Sequence, residues 1–309
     1  MPSFYLRLLF VSLLRTTLGA EWCYESQFSC DKTCKGPRNW IDVALSCGGT
    51  SQSPINIVTQ RAVTEGTLTP LTFRGYQDMF DSIITNNGHT VKVNLSGHAL
   101  VEGGDLQGPY KAVEFHFHWG RKGGPGSEHT VDGQQFPMEM HIVHIKDKYS
   151  SVSEAVADPS GVAVLGVLYQ ESEARNKKYE TLINALAKVT QQDTWSRLGP
   201  LSLELLIPAH KVPKGQYSYF RYTGSLTTPD CAESVIWTVL ENTVHLSKQQ
   251  LSAFSDLMFG NGSTMVETFR PVQPLNNRRV LYYSGCNAAT VSNILVINTV
   301  LTMLLTVWE

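Results

Sequence analysis

Apolar and polar positions alternate along several stretches of this chain. The alternation runs through residues 90–95, 112–119, 139–145 and 202–207, and a fully apolar stretch at 162–168 lies among them. Alternation with a period of two residues predicts strands, and a short apolar run bounded by turn residues is consistent with one more strand. Gly and Pro separate these segments, so strands dominate the predicted fold.

Two segments have helical spacing instead. Apolar residues recur every three or four positions in 179–189, which predicts an amphipathic helix, and 248–258 predicts a second, short one. We therefore predict a mainly β fold of the α+β class, with peripheral helices around a mostly antiparallel sheet. Periodicity leaves open whether the strands form a sandwich, a barrel or one large twisted sheet.

Residues 1–20 have the layout of a secretory signal peptide. Arg7 precedes an apolar stretch at 8–14, and the small residues Gly19 and Ala20 follow it. Arg15 interrupts the apolar region, and a buried N-terminal helix is the alternative. We predict cleavage after Ala20.

The C-terminal residues 294–308 are also apolar. Fifteen residues would rise about 22 Å as a helix, short of the roughly 30 Å of hydrocarbon in a bilayer. Small residues at 284–286 and a polar spacer precede this tail, the pattern for exchange of residues 285–309 for a glycolipid anchor. We predict attachment at Ser284, with Asn287 as the alternative site and a single short membrane anchor as the alternative structure.

Between these ends, residues 21–284 are predicted to form one domain. Hydrophobic residues make up 42% of the chain and charged residues 17%, which is typical of a folded globular protein. The net charge is −2 and Lys and Arg form no cluster, so the composition argues against nucleic acid as a partner. Asn94 and Asn261 each begin a glycosylation sequon, and Asn261 is the stronger candidate because Asn94 falls in a predicted strand.

The cysteines fit an exported protein. An oxidising compartment favours disulfides, and the spacings lack the Cys-x-x-Cys unit of structural zinc sites. If the tail is removed at Ser284, an odd number of cysteines remains. The six are Cys23, Cys30, Cys34, Cys47, Cys231 and Cys286.

The histidines suggest a metal site. His116 and His118 lie two residues apart in a predicted strand, so both side chains point to the same face of the sheet. His141, on another predicted strand, supplies a third ligand. Three imidazoles that leave a fourth tetrahedral position for water are the arrangement of a catalytic zinc ion.

Longer motifs carry a family resemblance. Residues 116–120 (HFHWG) and 126–130 (GSEHT), followed by Glu139 and His141, resemble the active-site signature of the α-carbonic anhydrases. Further similar segments lie in family order across the whole predicted domain, at 52–56 (QSPIN), 87–89 (NGH), 225–229 (SLTTP) and 270–275 (RPVQPL). The cysteine pattern is similar to the membrane-anchored type IV branch of that family.

This resemblance implies a large twisted sheet of about ten strands and a zinc lyase that reversibly hydrates carbon dioxide to bicarbonate and a proton. Zinc on His116, His118 and His141 would carry the attacking hydroxide, and carbonic anhydrase is itself the usual example of zinc lowering the pKa of water to about 7. The remaining implied roles are orientation of the hydroxide by Thr227 and Glu128, binding of bicarbonate by Thr227 and Thr228, proton transfer by His89, and an apolar wall of Val143, Val164, Leu226 and Trp237.

The resemblance also implies supporting contacts. Glu139 matches the carboxylate that accepts a hydrogen bond from His141, and Glu114 occupies the position that supports His116. Two departures stand out, because family members usually have Gln at position 114 and Lys92 replaces a neutral polar residue at the cavity rim. The implied disulfides are Cys23–Cys34 and Cys47–Cys231, which leaves Cys30 unassigned.

Two other functions were weighed. A domain of this fold can be a catalytically inactive binding module, but the complete ligand set favours the enzyme. Zinc-dependent peptide hydrolysis lacks its His-Glu-x-x-His motif. We expect a monomer on the extracellular face of the plasma membrane, held by the glycolipid anchor, and no feature of the sequence specifies a bicarbonate transporter as partner.

Overall fold

The computed structural model describes residues 21–28, 34–122, 124–209 and 216–285. Within these ranges the chain is mostly strand, with a few short helices. The strands are β1 (Asn56–Ile57), β2 (Val63–Thr64), β3 (Leu71–Arg74), β4 (Phe80–Asn86), β5 (Val91–Asn94), β6 (Leu100–Gly103), β7 (Tyr110–Trp119), β8 (Thr130–Val131), β9 (Gln134–Gln135), β10 (Met138–Lys146), β11 (Val162–Ser172), β12 (Trp195–Leu201), β13 (Tyr219–Gly224), β14 (Val235–Leu240), β15 (Val244–Ser247) and β16 (Leu281–Tyr283).

The α-helices are short; the first precedes β1 and the others lie between strands. The α-helices are α1 (Glu25–Phe28), α2 (Val152–Ala155), α3 (Glu180–Leu186), α4 (Leu203–Leu206) and α5 (Lys248–Phe254). Short 3₁₀-helices occupy Pro37–Asp42, Leu45–Gly48, Thr59–Arg61 and Lys177–Tyr179.

One large twisted sheet organises the described chain. Ten strands follow one another in the order β12-β4-β5-β7-β10-β11-β14-β13-β16-β2, and β3, β6 and β15 attach at the side to make thirteen. Most neighbours in this sheet are antiparallel, and its parallel pairs within the described residues are β11–β14, β11–β15 and β16–β2. The predicted large, mostly antiparallel sheet is confirmed. A separate small sheet joins β1, β8 and β9.

The central strands bury residues on both faces. Phe115 and Phe117 of β7 are fully buried in the larger hydrophobic cluster, together with Met140 and Ile142 of β10. The other face of β7 is left for polar side chains, because successive residues of a strand point in opposite directions. Packing of the aromatic face therefore fixes the direction of the histidines that alternate with it.

Both predicted helices are present, and both are shorter than their sequence patterns. Residues 179–189 contain α3 after a 3₁₀ turn, and Leu182 and Leu186 are buried as their spacing predicts. Residues 248–258 contain α5, which begins with a capping box. There the Ser247 hydroxyl accepts from the Gln250 amide and the Gln250 side chain accepts from the Ser247 amide.

The strand predicted at residues 202–207 is wrong. This segment forms one turn of helix, α4, with Ser202 at the N-cap position. Leu203 and Leu206 are buried while Glu204 between them is exposed, which is the i, i+3 spacing of a helix. The apparent alternation was an accident of a short, leucine-rich run that fits both periods.

Two disulfides cross-link segments that lie outside the strands. Cys23 bonds to Cys34 and Cys47 bonds to Cys231, the pairing that the family resemblance implies. The second bridge joins positions 184 residues apart, so it restricts a very large loop of the unfolded chain. Loss of such a native bridge typically costs about 2–5 kcal/mol of stability.

Several predictions fall on residues that the structure does not describe. The signal peptide at 1–20, residues 286–309 of the predicted tail with the alternative anchor site Asn287 and Cys286, and Cys30 lie outside the described ranges. Ser284 is described, and its carbonyl oxygen accepts a hydrogen bond from the Ser218 hydroxyl at 2.9 Å. Among the described helices, none has the length and apolar character needed to cross a bilayer.

Candidate active site

Strand pairing brings the three predicted ligand histidines together. His116 and His118 project from the same face of β7, and His141 of β10 pairs directly with His116. One nitrogen from each ring lies within 4.8 Å of the others. His118 and His141 are each 1% exposed, whereas His116 is half-buried. The cluster therefore has two deeply buried members and one that faces the rim.

Hydrogen bonds fix which nitrogens face the shared space. His118 Nδ1 contacts the Thr268 carbonyl at 2.6 Å and His141 Nε2 contacts the Glu139 carboxylate at 2.8 Å, so each of these nitrogens must donate its proton outward. His118 Nε2 and His141 Nδ1 then face each other as acceptors, 3.1 Å apart. Two buried lone pairs at this separation are what a cation would satisfy.

The two buried rings are held neutral, as metal binding requires. Burial lowers the pKa of His141 to about 4, against the opposing effect of the Glu139 carboxylate. Burial also lowers the pKa of His118 well below its ordinary value, and the neighbouring His141 and His116 rings add to the shift. The donor set is therefore two neutral imidazoles and a third at the rim, which fits zinc.

Glu139 anchors the buried side of the cluster. Besides His141, its carboxylate accepts from the backbone amides of Glu128 and His129 at 2.9 and 2.8 Å, and from the His129 ring at 2.7 Å. Burial alone would raise the pKa of Glu139, but its two histidine partners lower it well below the ordinary value. Gly166 leaves the space for this carboxylate, because a Cβ there would lie 3.1 Å from Glu139 Oε1.

A buried chain of polar groups behind Glu139 was missed by the sequence analysis. His129 Nε2 contacts the Tyr222 hydroxyl at 2.7 Å, and that hydroxyl lies 2.9 Å from Ser53 Oγ. His129 and Ser53 both occur within the family motifs, which was the available signal, but neither was given a role. Tyr222 lies outside those motifs. The chain links three distant segments into one rigid support for the cluster.

Glu128 and Thr227 lie together beside the buried histidines. Glu128 Oε1 accepts from the Arg270 amide at 2.8 Å, and Oε2 lies 3.5 Å from His118 Nε2. Burial raises the pKa of Glu128 well above its usual range, whereas hydrogen bonds from the Thr227 hydroxyl and the Arg270 amide act in the opposite direction. Both side chains are buried, so this pair is shielded from bulk water.

The Arg270 side chain hydrogen-bonds to the segment 47–53, a contact that the sequence did not predict. Its guanidinium donates to Gln52 Oε1 at 2.8 Å and to the carbonyls of Ser53 and Cys47 at 2.9 and 3.1 Å. Cys47 is in turn bonded to Cys231. The disulfide and the guanidinium therefore hold the same segment from two sides.

The predicted apolar wall is contiguous. Val143 pairs with Val164, which pairs with Trp237, so the three form a row across β10, β11 and β14. Leu226 packs against the same cluster, and the Trp237 indole donates to the Ser225 carbonyl at 3.0 Å. The Trp237 ring lies 4.7 Å from the His141 ring. The row thus borders the histidine cluster directly.

Thr228 lies in a tight turn that follows Thr227. Its carbonyl accepts from the Cys231 amide at 2.7 Å, and its side chain is half-buried. The Cys47–Cys231 disulfide therefore fixes the far end of the turn that carries both threonines.

His89 lies against the N-terminal segment. Its ring stacks on Trp22, with centroids 3.9 Å apart and planes inclined by 14°. Its Nδ1 is buried and has no hydrogen-bond partner among the described residues. Burial lowers the pKa of His89 to about 4. In this position the ring carries almost no proton at neutral pH, whereas a proton relay works best with a pKa near the operating pH.

The two departures from the family pattern contact each other. Lys92 Nζ lies 3.1 Å from Glu114 Oε2, and Glu114 Oε1 lies 3.2 Å from His116 Nδ1. Burial would raise the pKa of Glu114, but its interactions with His116 and Lys92 lower it to about 2. The carboxylate is therefore charged and is shared between the lysine and the histidine.

Both predicted glycosylation sites are accessible. Asn94, at the end of β5, and Asn261, in the loop after α5, have exposed side chains. The Asn261 side-chain oxygen accepts from the Ser263 amide and hydroxyl at 3.0 and 2.6 Å. Asn261 also lines the cavity of about 360 Å³ that contains Trp22 and His89.

Comparison with known proteins gives consistent matches. A sequence model described as eukaryotic-type carbonic anhydrase matches residues 35–284. Carbonic anhydrase 4 of Oryctolagus cuniculus is 37% identical over 278 residues, covering 88% of this chain and 88% of its own length. Carbonic anhydrase 4 of Mus musculus is 39% identical, with 86% and 85% covered. Carbonic anhydrase 7 of Mus musculus is 40% identical, with 79% and 93% covered.

Proposed function

Since the chain belongs to the eukaryotic-type carbonic anhydrase family and is an enzyme of reversible carbon dioxide hydration, we propose that it works through a zinc ion held by His116, His118 and His141. The observation that carries this proposal is the convergence of three imidazole nitrogens within 4.8 Å. The two buried rings have their outer nitrogens already committed to Thr268 and Glu139, so only the inner ones remain to bind a metal.

Held by His116, His118 and His141, a zinc ion would lower the pKa of water to about 7 and so make hydroxide available at neutral pH, as carbonic anhydrase exemplifies. The protein would then position the nucleophile and the substrate. Neutral ligands suit this chemistry because they leave the positive charge of the metal uncompensated.

Thr227 and Glu128 would orient the nucleophile. A Thr227 hydroxyl that donates its proton to the Glu128 carboxylate can only accept at its oxygen from the attacking group. That constraint selects which lone pair of the nucleophile faces the substrate, a contribution of orientation. Arg270 supports the arrangement, because its amide holds the other oxygen of Glu128 at 2.8 Å.

The apolar row would hold carbon dioxide. Val143, Val164 and Trp237 lie next to the histidine cluster, and Leu226 packs with them. An uncharged substrate needs no polar partner on that side, and a dry wall discourages water from occupying its place. Thr228, in the adjoining turn, would contact bicarbonate through its polar side chain, together with Thr227.

His89 would carry the product proton to solvent. A ring with a pKa of about 4 accepts few protons at neutral pH, so it would have to leave the Trp22 stack to work efficiently. The contact between His89 and Trp22 therefore leads us to expect slow proton transfer while the ring stays stacked on the N-terminal segment.

Two disulfides support a site of action outside the cytosol, because such bonds persist in oxidising compartments. Together with the signal-like residues 1–20 and the tail at 285–309, they lead us to propose a monomer tethered at Ser284 to the outer face of the plasma membrane by a glycolipid. Glycans on Asn261 and Asn94 would follow from the same route. Release by a phosphatidylinositol-specific phospholipase would test the tether.

Stopped-flow carbon dioxide hydration tests the proposed function. The protein is compared as purified, after removal of metal by a chelator, and after reloading with zinc. We expect turnover to disappear with the metal, to return with zinc, and to be inhibited by an aromatic sulfonamide. Zinc binding without turnover would instead favour a binding module.

A further inference from the structure

Lys92 lies in the same row as two of the candidate zinc ligands. Lys92 of β5 pairs with His116 of β7, which pairs with His141 of β10. Cross-strand partners point to the same face of a sheet, so the three side chains share the face of the metal site. Lys92 nevertheless contacts neither histidine through its ammonium. Among the described residues, the polar partner of its Nζ is Glu114.

The three ligand histidines are supported in different ways. His118 donates to a backbone carbonyl, which is fixed by the main chain. His141 donates to Glu139, whose carboxylate is buried and held by three further donors. His116 instead contacts Glu114, whose side chain is 20% exposed. Without a second partner, this carboxylate could rotate toward water and leave His116 unsupported.

We propose that Lys92 is a positioning residue for the metal site. Its ammonium pairs with one oxygen of Glu114 and thereby holds the other oxygen in hydrogen-bond contact with His116 Nδ1. The inference rests on the proposed zinc function. It gives a role to Lys92 and Glu114, the two residues that depart from the family pattern, because the lysine and the carboxylate form an ion pair with each other. Lys92 also compensates the charge that Glu114 adds beside the metal.

The ion pair is modest in strength but well placed. Its members are 32% and 20% exposed, so water screens it only in part. Partly exposed pairs contribute at most a few-fold to an equilibrium, whereas groups that orient metal ligands commonly change affinity by about 10- to 100-fold. We therefore expect that Lys92→Met raises the zinc dissociation constant of the full-length protein about fivefold.

A double-mutant cycle with Glu114→Gln tests the route of this effect. The zinc dissociation constant is measured by competition with a chelator in the wild type, Lys92→Met, Glu114→Gln and the double variant. The cobalt(II) absorption spectrum of each variant reports the coordination geometry. The Gln amide oxygen can still accept a hydrogen bond from His116, but it carries no charge and cannot form an ion pair with Lys92. We expect Lys92→Met to have less than a twofold effect in the Glu114→Gln background.

Two further variants complete the test. Lys92→Arg should retain wild-type affinity, because a guanidinium can pair with the same carboxylate. Lys111→Met, on the same strand as His116 and His118, removes a lysine that instead contacts Asp147 and should leave zinc binding unchanged.

An equal effect of Lys92→Met in both backgrounds, or no effect in either, would overturn the inference while the zinc site stands. If zinc binding is insensitive to His118→Ala, the proposed function fails first and the inference fails with it.

Discussion

The candidate metal site has a buried side and a rim side, and the two are built differently. On the buried side, His118 and His141 contact groups that are almost inaccessible to water and are themselves fully hydrogen-bonded. On the rim side, His116 contacts the partly exposed Glu114, which pairs with Lys92. The His89 ring stacks on Trp22 of the N-terminal segment. The buried side is specified by a network of hydrogen bonds around Glu139, whereas the rim depends on a few pairwise contacts.

This difference separates what makes the chemistry possible from what adjusts it. Changes in a buried hydrogen-bond network lower stability strongly, because each lost partner leaves a polar group that no water molecule can reach. A rim contact can change with little penalty, since solvent takes the place of the lost partner. The departures from the family pattern, Glu114 and Lys92, both lie on the rim.

The largest expected effect is that of His118→Ala on the buried side. We expect zinc to be lost and hydration to fall by about a thousandfold or more, since a bound metal contributes several kcal/mol to such reactions. Zinc content by mass spectrometry and stopped-flow hydration measure the two losses. His98→Ala, at an exposed histidine, is the control and should change neither. Retention of zinc by His118→Ala would place the metal elsewhere.

The next effect contrasts the two supporting carboxylates. Glu139→Gln should weaken zinc binding by about 10- to 100-fold, because an amide cannot accept from all the donors that surround Glu139. Glu114→Gln should raise the same dissociation constant by no more than about fivefold, the effect expected for loss of Lys92, because the amide can still accept from His116 but no longer pairs with the lysine. Similar effects of the two changes would remove the distinction between buried side and rim.

A smaller effect is expected at the proposed proton relay. His89→Ala should slow turnover by about tenfold, below the hundredfold or more that is common for acid–base groups, because the stacked ring is already a weak relay. Added imidazole buffer should restore the rate in the variant. Stopped-flow hydration at increasing buffer concentration measures both. A rate that imidazole does not restore would assign the relay to another group.

The smallest effect concerns the stack itself. Trp22→Ala should raise the pKa of His89 from about 4 toward 6.5, measured by NMR titration of the ring. Because the native pKa lies below the unfolded value, the unfolded chain binds more protons between pH 4 and 6.5. Stability should therefore rise with increasing pH across this window in the wild type, and rise less in Trp22→Ala. An unchanged pKa would mean that Trp22 is not the cause of the shift.

Much of the site could be predicted from the sequence because it depends on strand periodicity and on local motifs. His116 and His118 lie two residues apart in an alternating segment, which predicts that they share a face of the strand. The family motifs then predict the roles of His141 and Glu139. Helix α4 was mistaken for a strand because six residues fit both periods.

The remaining contacts depend on how strands and loops meet in space. Lys92 and Glu114 were each recognised as departures, but their contact follows from the register of β5 against β7, which the sequence does not reveal. The chain from His129 through Tyr222 to Ser53 and the stack of Trp22 on His89 join segments far apart in sequence. Such pairings become visible only when the tertiary structure is known.

The central claim is that three imidazoles hold one zinc ion and leave a position open. X-ray absorption at the zinc edge of the purified full-length protein tests it most directly. We predict three nitrogen ligands with the scattering pattern of imidazole at about 2.0–2.1 Å and one light-atom ligand from solvent. Sulfur in the coordination shell, or a fourth protein nitrogen that closes the site, would contradict it.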